Sequence, residues 1–272
     1  MNIRLTRLLT AFAVATAFAN CNAQEQRNVY VTVDGRDPLT FGTYTGLENP
    51  NLGRLTYLYA HWNEETPENN HFHSIGSYSY EGEVDSATVT TTNGNNRLPE
   101  TYTGQAPLTL QEGTGDLAGK LVSAATDEHY SDLTMYSIHD MKPAAEGTPV
   151  GYMYASSGGG YASTSMDGMN LAIEVVSMTP GLYLGTEQLS AAGDRLTIGS
   201  EADLPFRPIF WTEDDAAPGP YSAEFKLIDL SGTYADSGTI NLDFAVVPEP
   251  GTSSLLLCSL VASGLMLRRR SR

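Results

Sequence analysis

Short apolar runs with period two, set apart by Gly, Asn, Asp and Pro, constrain the fold of this chain more than any other feature. In Thr239–Val247 the residues Ile240, Leu242, Phe244 and Val246 point one way, and Ser222–Leu227 reads polar and apolar by turns. Successive side chains on an extended backbone face opposite sides, so each such run buries one face and wets the other. Further runs rich in Tyr, Val, Thr, Leu and Ile lie at Val29–Val33, Leu55–Trp62, His71–Tyr80, Ala87–Thr92, Leu133–His139, Val150–Ala155, Leu171–Met178 and Tyr221–Leu230. Almost nothing carries a helical period. Many short strands joined by Gly-rich turns predict an all-β fold with a sandwich or jelly-roll-like body.

Between the runs, Asn93-Gly94-Asn95-Asn96 reads as a hairpin turn, and Ser156–Ser165, with Gly158-Gly159-Gly160, reads as a mobile loop. Leu98–Lys120 is poor in strand pattern and rich in Gly, Thr and Pro, and could separate two lobes, about 24–120 and 121–247. The glycine run has no following Lys-Ser/Thr and opens no helix, which excludes a phosphate loop.

The ends differ from the body. Residues 1–23 read as a signal peptide: Arg4 and Arg7, the apolar run Leu8–Ala19, and small residues around Cys21-Asn22-Ala23. Phe18-Ala19-Asn20 is a poor lipobox before Cys21, and a run of this length rises only ~18 Å against a ~30 Å hydrocarbon core. At the other end stand Val246-Val247-Pro248-Glu249-Pro250-Gly251, an apolar run from Leu255 to Leu267, and Arg268-Arg269-Arg270. A polar turn, a short greasy helix and a basic stop make a sorting tail, 248–272, read by membrane machinery. This tail resembles the PEP-CTERM signal of exopolysaccharide-producing Gram-negative bacteria. The resemblance implies a sortase-like transpeptidase acting at Pro248, Glu249 and Pro250, and retention at the cell surface, outer envelope or extracellular matrix.

Both cysteines, Cys21 and Cys258, fall in these ends, so the exported domain, 24–247, has no disulfide framework and no thiolate metal site. Its stability has to come from buried core. The chain carries 15 Lys+Arg and 32 Asp+Glu; without the two Arg of the signal, the four of the tail and Glu249, the body keeps 9 basic and 31 acidic residues, near −22. Such a surface repels nucleic acid and anionic lipid, and suits a solubilised surface protein or one that meets cations.

One constellation carries chemistry. All five histidines sit in two acidic windows, His61 to His73 and Thr126 to Asp140. If Leu55–Trp62 and His71–Tyr80 are consecutive strands, the loop between them brings His61 beside the start of the next strand. His71 and His73, two apart, then face the same side. Three neutral imidazoles could converge on one ion, with Glu64, Glu65 or Glu68 of the loop as a carboxylate ligand or as an acceptor for an imidazole N–H. His129 and His139 are candidates for an additional ligand. Histidine and oxygen donors suit Zn²⁺, and also Cu²⁺ or Ni²⁺. Acidic clusters such as Glu213-Asp214-Asp215 offer weaker oxygen sites for Ca²⁺.

The segment Gly46-Leu47-Glu48-Asn49-Pro50-Asn51-Leu52-Gly53-Arg54-Leu55-Thr56, the His-rich hairpin and Ile75–Tyr80 resemble a family of PEP-CTERM proteins repressed by the zinc uptake regulator. Tyr221–Asp229, Ser237-Gly238-Thr239 and Phe244 are similar to the end of that family's domain. The resemblance implies a protein made when zinc is scarce, with a zinc-handling role outside the cytoplasm that rests on His61, His71 and His73; the expected function is zinc capture or buffering, not catalysis. Two other functions compete. Fifteen tyrosines with Trp62 and Trp211 could stack on sugars of an exopolysaccharide matrix. A metal with an open position could activate water for hydrolysis, although no Gly-x-Ser-x-Gly elbow or His-Glu-x-x-His helix is present.

Overall fold

The computed structural model describes residues 27–142, 144–156, 161 and 164–247. The expected signal peptide, the sorting tail and Gly158-Gly159-Gly160 lie outside the described residues. In chain order the first strands are β1 (Val29–Val33), β2 (Leu55–His61), β3 (His71–Ile75), β4 (Ser79–Glu81) and β5 (Thr88–Thr90). Then come β6 (Arg97–Leu98), β7 (Leu108–Thr109), β8 (Gln111–Glu112), β9 (Lys120–Val122), β10 (Met135–Ser137) and the helix α1 (Pro149–Ala155). The last are β11 (Leu171–Met178), β12 (Tyr183–Leu184), β13 (Arg195–Gly199), β14 (Phe210–Glu213), β15 (Gly219–Asp229) and β16 (Ile240–Val246). The described chain is thus mostly strand, as an all-β fold requires. Among the described residues no helix is long and apolar enough to cross a membrane.

Two sheets carry the architecture. One runs β10-β1-β2-β3, and the other runs β13-β11-β15-β16-β6 with β7 also on β16. The alternation seen in the last run appears as burial: Ile240, Leu242, Phe244 and Val246 are buried and the residues between them are half-exposed. The two sheets meet where the rings of Tyr57 on β2 and Phe225 on β15 pack edge to face at 6.1 Å. A third sheet, β12-β14-β9-β8, brings Phe210 against Phe225 and Phe244. β1 is buried along its whole length, because its second face is covered as well: Thr32 donates to the Tyr161 carbonyl, and Tyr30 packs on Phe72. One hydrophobic cluster runs from Val29 to Val246. Each large side chain in it contributes roughly 1.5–3 kcal/mol relative to exposure.

Three expectations need correction. Val150–Ala155 is helical, not a strand. Thr148 caps it by accepting from Gly151 N, Pro149 stands in the first turn, and Val150, Met153 and Tyr154 recur at helical spacing on the core side. Asn93–Asn96 is no hairpin turn, because β5 pairs with β4 and β6 joins β16 in parallel. The stretch instead crosses between sheets, held by Asn93 Nδ2 to Ser74 O and by Asn241 N to Asn96 O. His139 does not end a strand: β10 stops at Ser137, whose hydroxyl accepts from His139 N and opens a 3₁₀ turn, Ile138–Met141.

The polar segment before β2 is a clamp. Asn49 Nδ2 donates to Arg36 O, Asn51 Nδ2 donates to Tyr78 O, and Tyr78 N returns a bond to Asn51 Oδ1. The Arg54 guanidinium lies 4.1 Å over the Tyr78 ring. Just beyond β3 the chain crosses the start of β16 so closely that a Cβ on Gly238 would stand 1.7 Å from Gly76 O. Gly76 itself has φ +69 and would meet Thr239 O. Gly238→Ala is expected to destabilise the protein by about 2 kcal/mol or more. Thermal unfolding checks it, with the exposed Gly94→Ala as a control of small effect.

Candidate metal centre

The β2–β3 hairpin sets the geometry. Its register pairs Tyr59 with His73 and His61 with His71, so the four side chains share a face. Further along the hairpin that face carries Tyr57 and Ile75 into the core. At the loop end the same face carries imidazoles, in an array with ring centroids 4.3 Å apart for His61 and His73, 4.8 Å for His71 and His73 and 5.4 Å for the stacked His61 and His71. The loop is fixed by buried Asn70, which accepts from Asn63 N and donates to Pro149 O.

The carboxylate comes from elsewhere in the chain. β6 ends at fully buried Leu98, and Glu100, two residues on, has no exposed surface. Its Oε1 lies 2.6 Å from His73 Nδ1 and accepts from Asn95 Nδ2 at 2.6 Å. Its Oε2 accepts from Tyr130 OH at 2.8 Å and lies 2.6 Å from His61 Nε2. That last contact is short but lacks hydrogen-bond alignment, so His61 Nε2 is a buried nitrogen without a hydrogen-bond partner. Burial pushes the Glu100 carboxyl up, but the imidazoles of His61 and His73 with Asn95 and Tyr130 more than offset it and hold the group well below the usual carboxylate range. Glu100 is therefore an anion. Tyr130 reaches it from a backbone at φ +70, a conformation that a buried aromatic residue adopts only at a cost.

Proton accounting along the array decides what the centre needs. His71 Nδ1 lies 2.8 Å from the Asn69 carbonyl, which can only accept, so Nδ1 carries the proton. In a neutral ring His71 Nε2 is then an acceptor, and it lies 3.1 Å from His73 Nε2, which has to donate. A neutral His73 keeps no proton on Nδ1, the atom 2.6 Å from Glu100 Oε1. Two lone-pair atoms at that distance repel unless a positive centre is present, either a second proton on the ring or a metal ion. The ligand atoms of His61, His73 and Glu100 lie within 4.8 Å of one another, and the group could hold a metal ion. His71 then fixes the tautomer of His73 from outside.

The other sequence-named residues are placed differently. Glu64, Glu65 and Glu68 are exposed on the connecting loop and are not in this group; Glu100 supplies its carboxylate. His129 stands at the edge, its ring 4.2 Å from Tyr130 and 6.0 Å from Tyr59. Partial burial and the charge of His61 push its pKa down, against the opposing pull of Glu100. His139 has both nitrogens engaged, by Glu201 Oε1 at 2.7 Å and Thr164 O at 2.8 Å. Glu213, offered for Ca²⁺, pairs with Lys120.

No family model, no curated protein and no solved structure matches this chain.

Removing one donor tests the centre. The Glu100 carboxyl is depressed when folded, so its contribution to stability is present above its unfolded pKa of ~4.3 and is lost as pH falls through the folded value. Tyr130→Phe keeps the ring and deletes the donor. It is expected to raise the Glu100 midpoint toward the ordinary range and to cost about 1.5–3 kcal/mol at pH 7. A carboxyl-carbon NMR titration with chemical denaturation reads both; an unmoved midpoint would refute the assignment.

Proposed function

We propose that the protein is exported, is sorted to the cell surface or outer envelope by its C-terminal tail, and binds zinc there as a capture or buffering protein, without catalysis. The observation that carries this reading is the convergence of His73 Nδ1 and His61 Nε2 on the buried Glu100 carboxylate, each 2.6 Å from one of its oxygens, with His61 Nε2 making no hydrogen bond. His61, His73 and Glu100 are the proposed ligands, and His71, tied to the Asn69 carbonyl, supports His73. Two imidazoles and a carboxylate suit Zn²⁺. Support also comes from the acidic body, which concentrates divalent cations near the rim, and from the resemblance to proteins made under zinc scarcity. The facing four- and six-stranded sheets support a sandwich-type body carrying the site at one end.

Zinc titration by calorimetry of the protein, beside a His61→Ala, His73→Ala, Glu100→Gln variant, tests this. The expected result is one tight equivalent that the variant loses. Equal isotherms would assign uptake to the acidic surface instead. Because imidazole coordinates only when neutral, affinity should fall as pH drops below ~6.

Sorting has its own test. Replacing Pro248, Glu249 and Pro250 by alanine is expected to leave an unprocessed protein that fails to reach the surface, seen by fractionation and mass. Normal maturation of that variant would remove the sorting proposal and leave the zinc site standing.

A further inference from the structure

Tyr102 does not behave like an ordinary surface tyrosine. It lies two residues after Glu100 on a one-turn 3₁₀ segment, Thr101–Thr103, that ends at Gly104 with φ +67. Its side is 66 % exposed, more than the other exposed large hydrophobic residues described. Yet its hydroxyl turns inward, 3.5 Å from His73 Nδ1 and 3.4 Å from Glu100 Oε2, with the ring edge-on to His73 at 5.8 Å. Both separations are long for a hydroxyl hydrogen bond, whose usual length is about 2.7–2.8 Å. They come near another geometry, to which the 2.6 Å pairs of Glu100 with His61 and His73 would have to open when an ion enters. Donor atoms bonded at ~2.0–2.1 Å to a tetrahedral ion stand ~3.3–3.4 Å apart.

We propose that Tyr102 is the fourth ligand, its phenol oxygen closing the shell formed by His61, His73 and Glu100. The inference rests on the zinc reading above and adds to it how the ion is kept. Zinc in a closed site takes four protein ligands, whereas a catalytic site leaves one position to water. When the metal enters, the phenol O–H bond breaks, its proton leaves to solvent and the oxygen bonds the metal. One carboxylate and one phenolate then balance the two charges of Zn²⁺, which suits a centre built on a carboxylate with no exposed surface. Few contacts restrain the turn. Thr103 N and Oγ1 hold Glu100 O, and Gly104 N reaches Thr101 O. Tyr102 can therefore swing outward on its short turn while Glu100 stays fixed, and metal exchange waits on that motion.

The test uses the full-length protein with Zn²⁺ for exchange and Cu²⁺ as a spectroscopic probe. The wild type should show a phenolate-to-copper charge-transfer band that Tyr102→Phe lacks. Zinc release to excess chelator should be about tenfold or more faster in Tyr102→Phe, with metal-free melting unchanged because the side chain is exposed. Tyr102→His, which restores a ligand, should return slow release without the band. If both ions bind but the band is absent from the wild type or survives in Tyr102→Phe, or if release is unchanged, the role of Tyr102 is overturned and the three-residue site stands. If the wild type binds neither ion, the zinc reading falls and this inference falls with it.

Discussion

An ionised carboxylate with no exposed surface has to be surrounded by donors, or it would neutralise or unfold its surroundings. Glu100 meets that demand in part with two donors, Asn95 in the crossing stretch and Tyr130 before β10, while the imidazoles of His61 on β2 and His73 on β3 lie 2.6 Å from its oxygens. The arrangement of the chain around it follows from this requirement. Asn95 serves twice, since its carbonyl accepts from Gly76 N while its side chain reaches Glu100, so the end of β3 and the carboxylate are fixed together. The left-handed backbone of Tyr130 belongs to the same demand, as a local cost borne to place one hydroxyl.

The imidazoles owe their position to parity. On the β2–β3 hairpin a single face carries Tyr57 and Ile75 inward and then, toward the loop, Tyr59, His73, His61 and His71. A one-residue slip would turn all of them to the opposite face, so the packing of Tyr57 on Phe225 also sets the registry of the site. Core burial and ligand placement are one constraint here. A variant that disturbs the inter-sheet contact would shift the histidine array without touching a histidine.

That parity is also why part of the site was legible in the sequence. The period-two runs located β1, β2, β11, β15 and β16 nearly to the residue, and two-residue spacing puts His71 and His73 on one side. Glu100 was not legible. It lies in a stretch of weak strand pattern, 27 positions from His73, and long-range bonds bring it to the hairpin: Asn93 to Ser74, Gly76 to Asn95 and the parallel joining of β6 to β16. The acidic loop was the nearer source of carboxylate by sequence, but its glutamates are exposed there. For α1 a signal existed in Thr148-Pro149 and the 150, 153, 154 spacing, and the β-preference of Val and Tyr outweighed it. The Asn-Gly pair failed because turn chemistry states that the chain bends, not which strands it joins.

The donor set also bears on what the centre is for. A hydrolase needs an open coordination position and a cleft that seats the substrate beside it. A cavity of about 520 Å³ does exist, lined by Ser137, Asp140, Met166, Glu201 and Leu204, but it holds none of the residues around Glu100. His139, the histidine nearest that cavity in sequence, has both nitrogens engaged by Glu201 and Thr164 and is tied to structure. At the hairpin the ring of Tyr59 packs against His61 and the ring of Tyr102 against His73, while Tyr130 stacks beside Tyr59. The buried carboxylate is thus bordered by imidazoles that solvent still reaches, His61 with 20 % and His73 with 30 % of the side chain exposed.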